Sequence, residues 1–220
     1  MNLKIFLSLL TFILFSNVSF SYTQNSYKTP PNIVFILADD LGWADLPAYG
    51  NTFNEAPNID KLADSGMRFT NAYAACPVCS PTRASIQSGQ YPARVGVIDF
   101  ITGHWRPYEE VIVPKNRTQY LPSEIETIAE LLKKAGYSTG YFGKWHLGNS
   151  TETSPGNQGY DKAHVYAGGG FYQPRFNPQP IKAYKGRLSE ILTDMSIDFM
   201  EENNPAKTGN PFFLFLAHYD

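Results

Sequence analysis

The sequence predicts an α/β domain with a largely parallel central sheet flanked by helices. Two runs, NIVFILA (32–38) and PFFLFLA (211–217), are continuously apolar, as strands buried on both faces are. A third, YSTGYFG (137–143), is bounded by glycines and rich in aromatic residues. Amphipathic segments with helix start and stop signals lie between them, and strands alternating with helices argue for parallel pairing. The 220 residues are 43% hydrophobic and 15% aromatic, enough for one sizeable core.

The N-terminus, MNLKIFLSLLTFILFSNVSFS, has Lys4, then an apolar run from Ile5 to Phe15, then Ser19 and Ser21 before a cleavage point at Ser21/Tyr22. This is a secretory signal pattern, and the run is short for a membrane span. We expect a signal peptide at 1–21, a linker at 22–31 and a secreted or periplasmic mature protein, free of the membrane after cleavage and in an oxidising compartment.

The first strand stops at DDLGW. APNIDKLADSG reads as a helix with Ile59, Leu62 and Ala63 on one face and Gly66 as its stop. MRFTNAYA (67–74) alternates like a strand. SPTRASIQSG is a helix with Pro81 in its first turn and Gly89 at its end. LPSEIETIAELLKKAG carries a Ser123–Glu126 capping box; Ile125, Ile128, Leu131, Leu132 and Ala135 share a face, and Gly136 ends it. The third strand ends at Lys144. Residues 148–184, rich in Gly, Pro, Asn and Gln, read as a long surface excursion near a site. A last helix spans Leu188 to Glu202. The chain stops at Asp220 directly after a core-type strand, which predicts a domain truncated at its C-terminus.

The net charge is -2 with no run of Lys or Arg, so nucleic acid is not an expected partner. In an open α/β sheet, sites form at the carboxyl ends of strands. Three groups fall there: Asp39-Asp40, Lys144 with His146, and His218. Adjacent carboxylates are hard ligands for Ca²⁺ or Mg²⁺, or else cap a turn. Lys144 and His146, two apart in extended backbone, project to one side and suit an anion. The only cysteines, Cys76 and Cys79, are spaced C-x-x-C. No second such pair exists and the histidines lack ligand spacing, which disfavours zinc. A disulfide closing so small a loop stabilises little. A redox pair fits the start of a helix but leaves SPTRASIQSG without a role.

C-S-P-T-R followed by A-S-I-Q-S-G resembles the signature of the sulfatase family, C-x-P-x-R with Ser or Thr and Gly beyond it. PNIVFILADDLGWADLPAYGN resembles that family's opening strand and metal-binding Asp pair. APNIDKLADSGMRFTNAYA, IAELLKKAGYSTGYFGKWHLG and PFFLFLAHYD resemble later segments, in the family's order, over roughly Pro31 to Asp220. The resemblance implies an arylsulfatase-like sulfuric ester hydrolase of alkaline-phosphatase-like fold, with residues 32–220 as the N-terminal part of its catalytic domain.

It further implies that a maturing enzyme oxidises Cys79 to formylglycine, which serves as nucleophile and metal ligand. Asp39 and Asp40 would hold a divalent cation, Ca²⁺ or alternatively Mg²⁺. Arg83, one helical turn after Cys79, would stabilise the hydrated aldehyde; Lys144 would bind sulfate; His146 would help to eliminate it. A helix beginning at Ser80 would add its N-terminal dipole. Sulfated carbohydrate or aryl sulfate is the implied substrate. Phosphonate or phosphate ester hydrolysis, or an inactive fragment, is the alternative. The family's leaving-group histidine falls by spacing just past Asp220, so His218 is expected to be structural. Asn116 and Asn149 head N-x-Thr sequences open to glycosylation in a eukaryotic secretory route.

Overall fold

The computed structural model describes residues 30–102 and 117–219. All of them but Pro30 belong to one compact unit, Pro31–Asp220. The predicted signal peptide and the Asn116 acceptor lie outside the described residues, as does nearly all of the predicted linker. No described helix is long and apolar enough to cross a membrane.

Five strands form one sheet: β1 (Ile33–Ala38), β2 (Ser138–Gly143), β3 (Lys162–Tyr166), β4 (Phe176–Asn177) and β5 (Phe212–His218). The helices are α1 (Pro57–Ser65), α2 (Cys79–Ser88), α3 (Pro92–Val95), α4 (Ile128–Lys134), α5 (Leu188–Glu202) and α6 (Pro205–Thr208). The strand order is β1-β5-β2-β3-β4. All neighbours are parallel except β4, which runs against β3. The predicted mixed α/β architecture with a mostly parallel sheet is therefore present. Its consequence is positional: β1, β5, β2 and β3 end on one edge, where Asp39, His218, Lys144 and Tyr166 emerge.

Two apolar layers fix that edge. On one face Tyr141, Phe213 and Phe215 pack with Trp145, Leu147 and Tyr160 and with Ala84 and Ala129 of α2 and α4. Phe35, Phe215 and Tyr141 stack across three strands with centroids 4.7 and 5.1 Å apart. Burying each such ring contributes about 1.5–3 kcal/mol. On the other face Leu188, Leu192, Met195 and Phe199 of α5 cover Phe142, Leu214 and Leu216.

Several elements depart from expectation. The first strand is buried on one face only: Val34 and Ile36 are 45% and 58% exposed, because α5 packs on β5 and β2 while β1 is the sheet edge. MRFTNAYA is not a strand. Alternation sets the spacing of side chains, but a strand also needs a partner for its backbone, and none is paired here. The capping box of α4 is Thr127–Glu130 rather than Ser123–Glu126: Thr127 Oγ1 accepts from Glu130 N at 3.1 Å, and Glu130 Oε2 accepts from Thr127 N at 2.7 Å. Both pairs match the pattern, but Thr127 Oγ1 also donates to the Gln158 carbonyl at 2.8 Å, which anchors the helix start. The predicted excursion contains β3, which joins the sheet beside β2. Helix α2 begins at Cys79, one residue earlier than expected.

Gly143 shows how closely the sheet is packed at its functional edge. Its φ is +116°, and a Cβ there would lie 1.9 Å from the Ala217 carbonyl oxygen. That oxygen also accepts from Lys144 N at 3.0 Å. Gly143→Ala combines a backbone strain with a direct clash, so its expected cost is at least ~2 kcal/mol. A lowered urea midpoint with an unchanged slope is the outcome to look for.

Candidate active site

Asp39 and Asp40 leave the end of β1. Facing them, Cys79 opens α2, after an extended Val78 at the N-cap. Thr82 Oγ1 donates to the Cys76 carbonyl, so the first turn of α2 is tied to the segment before it. The left-handed Gly89 closes the helix. Leu37 to Leu41, Cys76, Cys79, Thr82 and Arg83 line a cleft of about 290 Å³.

Asp39 is the centre of the cluster. Its Oδ1 accepts from Arg83 Nη2 at 2.9 Å, and its Oδ2 accepts from Lys144 Nζ. The side chains are only 7% and 3% exposed for Asp39 and Arg83. Burial alone would raise the Asp39 carboxyl; hydrogen bonds and charge from Lys144 and Arg83 outweigh it and hold the group below its ordinary 3.8. Lys144 Nζ also lies 3.4 Å from Cys79 Sγ and 4.4 Å from the centroid of the Tyr219 ring. Lys144 thus joins the end of β2 to the start of α2 through the end of β1.

Arg83 reaches the cluster from one turn below Cys79. Its Nη1 donates to the Lys144 carbonyl at 2.5 Å, where the Tyr141 hydroxyl donates as well. Burial pushes the Tyr141 phenol up to about 12, so it remains a donor. Arg83 Nε is buried without a protein partner.

His146 departs from the extended backbone expected of it. Its φ is +58°, as is that of Asp40, and these are the non-glycine residues with positive φ among the described residues. Such strain persists where surrounding contacts over-determine it, and both positions belong to this candidate site. Lys144 turns to Asp39, while His146 Nε2 turns to the Ile101 carbonyl. A carbonyl only accepts, so Nε2 carries the proton and Nδ1 holds the free lone pair. That Nδ1 is buried with no protein partner. Burial lowers the imidazole below 6.5, against the Ile101 hydrogen bond and with help from the Lys144 and Arg83 charges. Burial thus favours the neutral imidazole. Ile101 N in turn donates to Ser80 Oγ at 3.1 Å, so the 97–102 segment bridges His146 to the start of α2.

Asp39, Asp40 and Cys79 each offer a donor atom, and the three lie within 4.8 Å of one another. Two carboxylates are a hard oxygen set, suited to Ca²⁺ or Mg²⁺. A thiolate is a poor third member, and an oxygen on the Cys79 carbon would make the set uniform. Cys76 and Cys79 are both free, so no disulfide withdraws Cys79 from the cluster. His218 ends β5, paired in register with Ala38.

The structure brings Asp39, Asp40, Cys79, Arg83 and Lys144 together and ties His146 beside them through Ile101 and Ser80. Sequence reasoning missed Tyr141, Ser80, Ile101 and Tyr219. These act through the Lys144 carbonyl, the His146 ring and the Lys144 ammonium, which are tertiary contacts with no spacing signal.

Comparison with known proteins accords with this geometry. The family model described as Sulfatase matches residues 31–219. N-acetylgalactosamine-6-sulfatase of Sus scrofa is 35% identical over 211 residues, covering 86% of this chain and 39% of the relative. The structure of Ps i-CgsB in complex with k-i-k-neocarrahexaose superposes with a TM-score of 0.69 at 29% identity, covering 85% of this chain and 44% of the other. That of BT4656 with D-glucosamine-2-N,6-O-disulfate gives 0.68 at 28% identity, with 85% and 34% covered. The chain thus spans less than half the length of these relatives. With the Sulfatase model matched from Pro31 to Tyr219, across every strand and helix described above, the chain belongs to the Sulfatase family.

Proposed function

We propose that the protein hydrolyses sulfate esters through a formylglycine derived from Cys79 and a divalent cation held by Asp39, Asp40 and the modified Cys79. The observation that carries this reading is Lys144 Nζ, placed between the Asp39 carboxylate and Cys79 Sγ with Arg83 on the same carboxylate. Two cations and two acids around a single side chain suit an anionic ester whose charge grows on oxygen as the S–O bond breaks.

Formylglycine, once hydrated, supplies one hydroxyl to attack sulfur and a second whose deprotonation expels sulfate. The cation, Ca²⁺ or Mg²⁺, supplies Lewis acidity toward the sulfate oxygens. The chain's own residues do the rest. Lys144 neutralises the sulfate charge, and Arg83 fixes Asp39 and the Lys144 backbone so that Lys144 stays in place. His146, neutral and with its Nδ1 lone pair free, accepts the proton of the second hydroxyl. The start of α2 adds its backbone dipole toward the same anion.

The relatives' names, N-acetylgalactosamine-6-sulfatase among them, support sulfated carbohydrate as the substrate class. The site requires a maturing enzyme to act on Cys79 before the chain closes around it. The N-terminal pattern supports secretion or periplasmic export. The test pairs para-nitrophenyl sulfate with a phenylphosphonate ester in the full-length protein, co-expressed with a maturing enzyme. Turnover of the sulfate in clear preference is expected, and a preference for the phosphonate would overturn the reading.

A further inference from the structure

Between β3 and α5 the chain carries Arg175, Lys182, Lys185 and Arg187, and no acid occurs from 162 to 189. In a protein of net charge -2 this is a local cationic excess. The same segment lines a cavity of about 460 Å³ against the first turns of α5, with Tyr172, Gln173, Gln179, Lys182, Tyr184 and Lys185 on its walls. Aromatic faces, side-chain amides and cations in one concave site are the groups that hold a sugar ring and its charge.

The acids packed against this cavity belong to α5. Glu190 is committed to the Arg187 backbone N at 2.8 Å. Asp198 accepts from Lys182 at 2.6 Å and from the Tyr184 hydroxyl at 2.7 Å. Asp194 is exposed one turn before Asp198. Lys182 is thus neutralised in place, whereas Lys185 is exposed and makes no ion pair among the described residues. Tyr172 is 73% exposed, with the Arg187 guanidinium 5.7 Å from its ring centroid.

The cavity sits at the catalytic edge of the sheet. Lys162, the first residue of β3, pairs with Glu202, the last of α5. The end of α5 therefore marks the amino ends of the strands, and its start marks their carboxyl ends. A row of rings leads the same way: Tyr166, ending β3, lies 5.3 Å from Tyr219, whose ring covers the Lys144 ammonium.

We propose that this cavity is a second subsite for a sulfated sugar, so that the substrate is an oligosaccharide with sulfate on more than one unit. The inference rests on the sulfatase reading. Lys185 takes the neighbouring sulfate, Tyr172 stacks on the ring that bears it, and the Lys144 site takes the sulfate that is cleaved. A lone aryl sulfate leaves the second subsite empty.

The test compares Lys185→Ala and Tyr172→Ala with the full-length wild-type protein. The probes are a disaccharide with sulfate on both sugars, the same disaccharide with only the scissile sulfate, and para-nitrophenyl sulfate. Loss of one charge-assisted contact is expected to raise KM for the disulfated probe about ten-fold, with kcat unchanged. Parameters for para-nitrophenyl sulfate stay at wild-type values, and Lys185→Arg restores the disulfated KM. Added salt weakens the disulfated probe more than the monosulfated one. Equal changes on all three probes, or no change on the disulfated one, overturn the subsite. If mature wild-type protein turns over no sulfate ester, the sulfatase reading fails instead. Calorimetric binding of the disulfated probe to wild type and Lys185→Ala then still reads the subsite, and equal affinities overturn it.

Discussion

Cys79→Ala is expected to lower sulfate-ester turnover by roughly 10⁴-fold or more, because it removes the proposed nucleophile and one of the three candidate metal donors together. Cys79→Ser separates the two halves of the proposed chemistry. Serine offers one hydroxyl for attack on sulfur but no second hydroxyl to expel sulfate. It should release one equivalent of alcohol and then stall, leaving a peptide heavier by one sulfo group (SO3) on the serine oxygen. Cys76→Ala makes the opposite prediction. Cys76 lines the same cleft and both thiols are free, but it belongs to neither the Asp39 cluster nor the metal donor set. Its removal should leave turnover intact and raise the yield of aldehyde, since it takes away the partner that could trap Cys79 as a disulfide in an oxidising compartment. Rapid-quench assay of para-nitrophenyl sulfate with mass spectrometry of the Cys79 peptide reads all three variants. Equal loss in Cys76→Ala and Cys79→Ala would restore the redox-pair reading.

What was legible in the sequence follows the range of the interactions. Leu188–Glu202 was placed to the residue because its apolar period is local and long. Cys79 and Arg83 were placed together because four residues make one helical turn, and the motif they share is contiguous. Lys144 and His146 were found by their position after a strand, but their directions were not: His146 adopts a left-handed backbone to reach Ile101, a residue forty-five positions away in sequence. β3, with the sequence KAHVY, escaped notice because a lysine and a histidine interrupt a five-residue run, and only its pairing with β2 makes it a strand. MRFTNAYA erred the other way: its alternation is real, but the described residues give it no strand to pair with. The clustering of Asp39, Arg83 and Lys144 could be expected from resemblance but not from spacing, since three separate elements deliver them.

That cluster sets the second large effect. Arg83→Leu should destabilise the protein by about 3–5 kcal/mol, a large part of the ~5–15 kcal/mol that holds a typical domain together. The cause is not lost packing. It is the Asp39 carboxylate, 7% exposed, left with one counter-cation where it had two. Arg83→Lys should recover little, because two separate branches are in use: Nη2 on Asp39 and Nη1 on the Lys144 carbonyl. The acid limb gives an independent reading. With its folded value depressed, Asp39 contributes stability that is present above 3.8 and lost as pH falls below it. Without Arg83 the burial that raises Asp39 is less opposed, so its folded value moves back toward 3.8 and the acid-side loss becomes smaller than in the wild type. Urea midpoints recorded from neutral to acid pH measure both effects. The deciding variant is the double one, Asp39→Asn with Arg83→Leu. If the cost is an uncompensated charge, neutralising Asp39 returns part of the stability, with a coupling of about 1–3 kcal/mol. If the cost is a cavity at Arg83, the two losses simply add. Activity should stay low in either case, since Lys144 then has neither the carboxylate nor the guanidinium that holds it beside Cys79.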